Sequence, residues 1–330
     1  MSDNLFKEAF GDAAELTLLL NKSKYNPGII ARLGLFSESG ISSTIAAIDV
    51  ADEALTLLPI SIPRGGVAEV HRPRDSTLLT ATALHIPTRA TVMAESVQNV
   101  RALGGISLDT PEAVRSRALA GMRKNIELTL EHVRFGTIRG QIVDIDGTVM
   151  LDLFAALGLS QTTIAMDLTS STKLLVNSTI DAERQSEYVL GGDQPSGFLA
   201  LAAPDFMDAL RANPSYVSDL RFAAPNELLK NFRNGITVGD TTYLEVRSTP
   251  GLPARIPAGE AYLLPLGIAD FLVTRYAPAD YVETVNTPGL PMYAKSQLMD
   301  FDKGFMLESQ SNPINLCTRP AAVIRLLKGA

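Results

Sequence analysis

An α+β fold is predicted by three features of this chain: one long amphipathic helix before its midpoint, two hairpin signals beyond it, and β-prone runs near the end. The helix starts at Asp109-Thr110-Pro111-Glu112, where Thr110 can cap free backbone donors, Pro111 suits the first turn and Glu112 favours the positive end of the dipole. Val114, Ala118, Met122, Ile126, Leu130 and Val133 then recur every three or four residues, while Arg115, Arg123, Lys124, Glu127, Glu131 and Arg134 lie mostly off that stripe. The pattern predicts a helix to about Phe135, roughly 37 Å long.

The remaining elements follow in order. Residues 1–40 read as an arm: a helix-like stretch from Leu5 to Leu20, then Lys22, Lys24, Asn26, Pro27 and Gly28, which break regular structure. Thr44, Ile45, Ile48 and Val50 before Asp52-Glu53, with Leu55, Leu57, Leu58 and Ile60 after it, predict a two-stranded ribbon. From Pro63 to Arg89 the chain is polar and without periodicity, so residues 41–89 form an extended loop that a compact domain carries only if it packs on something else. Residues 90–194 hold the long helix, a hairpin within Gln141–Phe154 about Asp146-Gly147, and a second helix from Leu168 to Leu190 ending at Gly191-Gly192. Residues 195–270 read as a second α/β unit, with a buried strand at Phe198–Ala202, a helix at Pro204–Ala212 and a hairpin about Gly239-Asp240. In residues 271–330, Tyr281–Val285, Phe305–Gln310 and Ala322–Leu327 are predicted strands that return to the first unit.

Composition excludes several classes. With 330 residues and 46% apolar side chains, the chain can bury a sizeable core. Its longest apolar stretch, Tyr262–Ile268, is interrupted by Pro265 and Gly267 and falls far short of the roughly 20 residues of a membrane span. The acidic start, with Asp3, Glu8 and Asp12, lacks the basic and apolar regions of a secretory signal, which predicts a cytosolic product. A formal charge of −7 argues against a domain that wraps nucleic acid. Cys317 is the single cysteine, and His71, His85 and His132 lie far apart, so no disulfide, zinc spacing or cofactor is expected. Cys317 reads as a small buried hydrophobe.

Asp144-Ile145-Asp146-Gly147-Thr148-Val149 matches the DxDGT signature of Mg²⁺-dependent haloacid dehalogenase-type phosphatases, in which the first carboxylate attacks phosphorus and the second is the acid/base. Such a site needs a buried parallel strand before it, and only Ile142 and Val143 supply an apolar approach. The hairpin reading uses the same residues with no missing parts. Arg64-Gly65-Gly66 and Gly191-Gly192 lack phosphate-loop spacing and read as turns. Asp280 and Glu283 have no histidine or metal ligand beside them and read as solvated or interface carboxylates. Arg64, Arg72, Arg74 and Arg89 are interleaved with Glu69 and Asp75; a solvated loop face and a set of subunit contacts fit this composition equally.

A series of short motifs orders the whole chain: Gly34-Leu35-Phe36, Pro63-Arg64-Gly65, Leu130-Glu131-His132, Asp146-Gly147-Thr148-Val149, Ile256-Pro257-Ala258-Gly259-Glu260 and Pro265-Leu266-Gly267. It ends with Tyr276–Lys295, carrying Asp280-Tyr281, Asn286, Pro288-Gly289 and Pro291, followed by Glu308–Pro313 and Leu316–Pro320. From residue 34 to residue 320 this series resembles the lambda-type capsid protein E family of tailed-phage major capsid proteins. The resemblance implies a Hong Kong 97-like fold with an arm over 1–40, an extended loop over 41–89, a peripheral domain over 90–194 with a spine helix about 111–135, an axial domain over 195–270, and a return over 271–330. It implies a self-assembling protein without catalytic residues or cofactor, forming hexamers and pentamers of an icosahedral head around packaged DNA. Scaffold, portal and decoration proteins are the implied partners, and assembly takes place in the host cytoplasm. It favours Arg64, Arg72, Arg74 and Arg89 as contacts to a neighbouring subunit, and Asp280–Asn286 with Glu308–Pro313 as organisers of the peripheral domain. No lysine–asparagine cross-linking pair is identifiable. An encapsulin-like compartment is the alternative within the fold, and the phosphatase is the alternative outside it.

Overall fold

The computed structural model describes residues 12–23, 28–50, 77–97, 110–170, 174–222, 235–247 and 253–329. Helix α1 (Ala13–Lys22) starts where the Asp12 carboxylate accepts from the Ala14 N–H, and α2 (Ile29–Leu33) ends at Gly34 with φ 63°. Strands β1 (Ser37–Gly40), β2 (Ile45–Val50), β3 (Thr77–Thr82) and β4 (Ile86–Met93) and the short helix α3 (Ala94–Val97) lead to the long helix α4 (Pro111–Arg139). Thr110 Oγ1 accepts from the Ala113 N–H at 3.3 Å, as its capping position predicts. The helix outlasts its expected end at Phe135 by four residues, because Phe135 and Ile138 extend the buried stripe and Gly140, at φ 83°, stops it.

Strands β5 (Gln141–Val143) and β6 (Val149–Asp152) form the expected hairpin. Its turn is wider than a two-residue Asp146-Gly147 turn: Asp144 N–H donates to Thr148 O at 2.8 Å and Gly147 N–H to Asp144 O at 3.0 Å, with a bulge after Ile142. Helix α5 (Leu153–Leu157), strand β7 (Thr163–Ala165) and helix α6 (Leu175–Leu190) follow. The second helix therefore starts later than predicted. Met166 and Leu168 instead donate backbone N–H groups to Leu327 and Lys328, continuing a strand pairing that local propensity does not reveal.

Strand β8 (Gly197–Ala202) and helix α7 (Pro204–Ala212) lie where the sequence places them, helix α8 (Pro214–Phe222) follows without having been expected, and the hairpin β9 (Ile236–Val238) and β10 (Thr241–Glu245) is the expected one, with Gly239 at φ 62° in the tight turn. The chain ends with β11 (Glu260–Leu266), β12 (Leu272–Tyr276), β13 (Tyr293–Leu298), β14 (Gly304–Ser311), β15 (Pro313–Cys317) and β16 (Ile324–Leu327).

Two local expectations change, and a third falls partly outside the described residues. Tyr281–Val285 is not a strand: Val282–Thr284 is a single 3₁₀ turn, fastened by the Thr284 hydroxyl donating to Ala279 O at 2.7 Å. Ile86–Met93, at the end of the expected loop, is a strand paired along its length with β14. Strand β2 pairs with β3, and the expected turn at Asp52-Glu53 and expected partner Leu55–Ile60 lie outside the described residues.

The chain forms two compact units. The first draws on Met1–Ala47, Thr80–Val133 and Leu272–Asn315, the second on Ile48–Leu79, Arg134–Phe271 and Leu316–Ala330. In the first unit the antiparallel sheet β13-β14-β4 shares a core with α1 and α4, formed by Leu16, Leu20, Val92, Leu119, Met122, Ile126, Met292, Phe305 and Leu307. A smaller sheet, β1-β12-β15, pairs β1 in parallel with β12. The second unit is built on a six-stranded mixed sheet, β7-β16-β11-β8-β10-β9. Leu201, Leu263, Ile324 and Leu326 are fully buried in it, each such side chain contributing about 1.5–3 kcal/mol of transfer free energy. Phe206 of α7 stacks on Tyr243 of β10 with ring centroids 6.3 Å apart.

Candidate functional site

The arm is fastened to the long helix by opposite charges at opposite helix ends. Arg123 Nη1 donates to Leu20 O, Asn21 O and Ser23 O, each at 2.7 Å, at the C-terminus of α1. Glu131 Oε1 accepts from the Ile30 N–H at 3.1 Å at the N-terminus of α2. Each side chain complements the partial charge of the helix end it meets. A Cβ on Gly28 would fall on the Glu131 carboxylate, so glycine is required there for this approach. Composition gives no sign that these two residues, off the apolar stripe of α4, are arm contacts.

A polar network braces residues 277–292 in the first unit. Gln310 Nε2 donates to Asp280 Oδ1 at 2.5 Å, Asn312 Nδ2 to Pro278 O at 3.0 Å, and Ser311 Oγ to Pro291 O at 2.6 Å. Asn312 Oδ1 also lies 2.9 Å from His85 Nδ1. The Tyr281 hydroxyl donates to Glu308 at 3.4 Å, and burial is the main cause that pushes its phenol up to about 12. Glu283 pairs with Lys295 at 2.8 Å, and that hydrogen bond holds its carboxyl below the ordinary carboxylate range. Asp280 and Glu283 thus have separate partners and do not form an acid/base dyad. Together these bonds join Asp280–Asn286 to Glu308–Pro313, the two stretches singled out by the sequence.

Of the four candidate contact arginines, Arg64, Arg72 and Arg74 lie outside the described residues. Arg89 stands opposite Glu308 on paired strands and meets its carboxylate at 2.5 Å, its own side chain 69% exposed. Asp144 and Asp146 sit exposed in the β5–β6 turn, where the Asp144 carboxylate accepts from the Ile145 N–H at 2.8 Å. Their strand belongs to a two-stranded antiparallel sheet rather than the buried parallel strand a phosphatase motif needs. Cys317 is fully buried, and burial raises its thiol to about 12. Among the described residues, no group of three or more His, Cys, Asp or Glu side chains could hold a metal ion, and no helix is long and apolar enough to cross a membrane.

The surface carries apolar side chains that folding leaves uncovered. Phe301 is 91% exposed and Val282 88% in the first unit; in the second, Ile145 is 70% exposed and Met150 56%. Phe301 and Asp302 both have positive φ, in the turn between β13 and β14. Asp300-Phe301-Asp302-Lys303-Gly304 between two β-prone runs is the sequence signal for this exposed tip, and it falls between the motifs.

The architecture has solved counterparts. A phage-related protein from Bordetella bronchiseptica RB50 superposes with a TM-score of 0.53, covering 96% of each chain at 11% identity. The capsid of the cyanophage P-SCSP1u gives a TM-score of 0.51, covering 92% of this chain and 89% of that one at 10% identity. This mixed helix-and-sheet architecture is the Hong Kong 97-like fold. At the level of sequence, the model of the family described as phage major capsid protein E matches residues 12–327, and the chain belongs to that family. Its relatives include the major capsid protein of Pseudomonas phage KPP10, 25% identical over 90% of this chain and 91% of the relative. The major capsid protein of Salmonella phage Felix O1 is 22% identical over 94% of each.

Proposed function

We propose that copies of this chain assemble as rings of six and five into a closed icosahedral head that encloses double-stranded DNA. The observation that carries this reading is the match to phage major capsid proteins over nearly the whole length. The shell is a part of the virion, built in the host cytoplasm with a scaffold and a portal and braced by a decoration protein. The protein performs no catalysis of its own. In this reading residues 90–194 with the return over 271–330 form the peripheral domain, α4 is its spine helix, and residues 195–270, with the β11-β8-β10 region, form the axial domain. Arg64, Arg72 and Arg74 of the extended loop meet carboxylates of a neighbouring copy, a role suited to the planar guanidinium, whereas Arg89, on β4, is already paired with Glu308 of its own chain. Individually modest contacts suffice, because closure multiplies them.

Negative-stain electron microscopy of the full chain, expressed alone and with the products of neighbouring genes, tests the assembly. Closed shells or rings of five and six are expected. A uniform population of monomers or dimers under both conditions would overturn the proposal.

A further inference from the structure

The sheet β13-β14-β4 has two edges, and the chain treats them differently. At β13 the arm closes the edge: the Thr17 hydroxyl of α1 accepts from the Ala294 N–H at 3.1 Å and donates to the Ala294 carbonyl at 3.2 Å, and Asn21 Nδ2 donates to Met292 O at 3.0 Å. Two side chains thus stand in for a neighbouring strand. At the other edge, along the eight residues of β4, no described residue does the same.

Backbone alternation decides which groups of β4 are open. At its two ends the Leu84 N–H donates to Pro313 O at 3.0 Å and the Ala94 N–H to Lys303 O at 2.9 Å, both in line with the β14 register, so the even-numbered residues of β4 face β14. The odd-numbered ones, Pro87, Arg89, Thr91 and Met93, present their backbone groups to the outer edge, and their side chains are exposed. A proline in a strand belongs where its missing N–H would face outward, as Pro87 does. Among the described residues none bonds the Arg89 or Thr91 N–H and C=O, whereas Met93 O already accepts from the Ser96 hydroxyl at 2.6 Å. An open edge of this length is a template for another strand.

We propose that this edge is a seam between two copies of the chain, in which β4 pairs antiparallel with the β4 of a second copy about a two-fold axis at Ala90. The proposal rests on the self-assembly reading above. In that register Arg89 of each copy exchanges both backbone bonds with Thr91 of the other, and each Pro87 stands opposite the other copy's Met93. Pro87 has no N–H to give, and the Met93 carbonyl it would serve is the one already satisfied by Ser96, while the Met93 N–H still reaches the Pro87 carbonyl. Any neighbouring register sets Pro87 against an open carbonyl or the engaged Met93 carbonyl against an open N–H. Arg89, held by Glu308 of its own chain, lies beside a threonine of the second copy, so the seam puts no like charges directly opposite. One surface pairs with itself, so the contact closes as a pair, and α1 covers both outer edges of the joined sheet.

Cysteine cross-linking of assembled shells reads the register. The axis sets Ala90 of both copies face to face at a non-hydrogen-bonded position, about 4.5 Å between Cα atoms and within disulfide reach, whereas Thr88, on the same face of the strand, is set opposite Val92. In a chain whose one native thiol is fully buried, Ala90→Cys should give covalent dimers on mild oxidation and Thr88→Cys few. Thr91→Pro removes an outward N–H and leaves the bonds to β14 in place. It should lower both the Ala90→Cys dimers and the shell yield by about tenfold, the scale of one backbone bond lost at each end of the seam, with melting of the unassembled chain near that of wild type. If Thr91→Pro does not fold, the two cysteine variants decide alone. No dimers from Ala90→Cys, equal dimers from both cysteines, or wild-type yields from Thr91→Pro would overturn the seam and leave the assembly reading intact. Failure of the wild-type chain to form shells with its neighbouring gene products would sink both.

Discussion

In the second unit the central strands β8 and β11 bury alanine, leucine and phenylalanine along nearly their whole length, whereas in the first unit β14 turns into its interior with Ser309, Gln310 and Ser311, all fully buried. The difference is one of mechanism. Apolar burial is non-directional and scales with area, so the six-stranded sheet is specified by composition along each strand. The buried polar end of β14 is stable only because each group finds a partner, Gln310 on Asp280, Ser311 on the Pro291 carbonyl and Ser309 on the Met122 sulfur, and an unpaired one would cost about 1–3 kcal/mol. The strands β8 and β11 are held by bulk, the polar end of β14 by particular bonds.

Substitutions can break this contrast in a graded way. The largest effect is expected from Leu263→Ala in β11, which should cost about 2–5 kcal/mol by lost transfer and a residual cavity, read by denaturant unfolding. It should loosen amide exchange across β8, β11 and β16 together, since the three pair side by side. Asn312→Ala comes next, at about 1–3 kcal/mol, because it strands the Pro278 carbonyl and removes the partner of His85. Hydrogen exchange should quicken over residues 277–292 while β8 and β11 stay protected; equal loosening of both would erase the distinction between the two units.

A smaller effect tests a polar exception inside the apolar unit. Glu183 of α6 is buried and accepts from Thr241 Oγ1 at 2.6 Å; burial, with Asp240 and Glu187 nearby, raises its carboxyl above the ordinary range. The folded protein therefore holds that proton more tightly than the unfolded chain, so this group favours folding below the ordinary carboxylate pKa. The benefit is lost as pH rises through the raised value. Glu183→Gln should raise the melting temperature at neutral pH and change it little in acid. A melting temperature that falls at neutral pH would show that the ionised carboxylate is needed. The smallest effect is expected from Lys295→Ala, which removes the exposed pair with Glu283. Melting should shift by no more than about one degree, as for most exposed ion pairs.

Much of the second unit is legible in the sequence. Phe198–Ala202, Pro204–Ala212 and the Gly239-Asp240 hairpin carry their own signals: an apolar run, a proline at a helix start, and a glycine at a two-residue turn. The first unit is harder to read. Ile86–Met93 alternates exposed and half-buried positions and has a proline at its second residue, so on its own it reads as the tail of a loop, and only β14 beside it makes it a strand. The candidate site divides in the same way. Asp280–Asn286 and Glu308–Pro313 are recognisable from their residues, but their bonding partners are not.

The sequence by itself determined the long helix and its Thr110 start, the two hairpins, the buried strand β8 and the family likeness carried by motifs from residue 34 to residue 320. These depend on spacing within about thirty residues, where capping, periodicity and turn chemistry act. Tertiary structure alone decided that Ser37-Glu38-Ser39-Gly40, exposed throughout, would pair in parallel with Leu272–Tyr276. It likewise decided that Thr163–Ala165 would lie beside β16 and that Glu131 would hold the end of α2. Short polar strands have no local preference strong enough to select a partner, and closing so long a loop becomes favourable only when the rest of the unit has already brought the ends together.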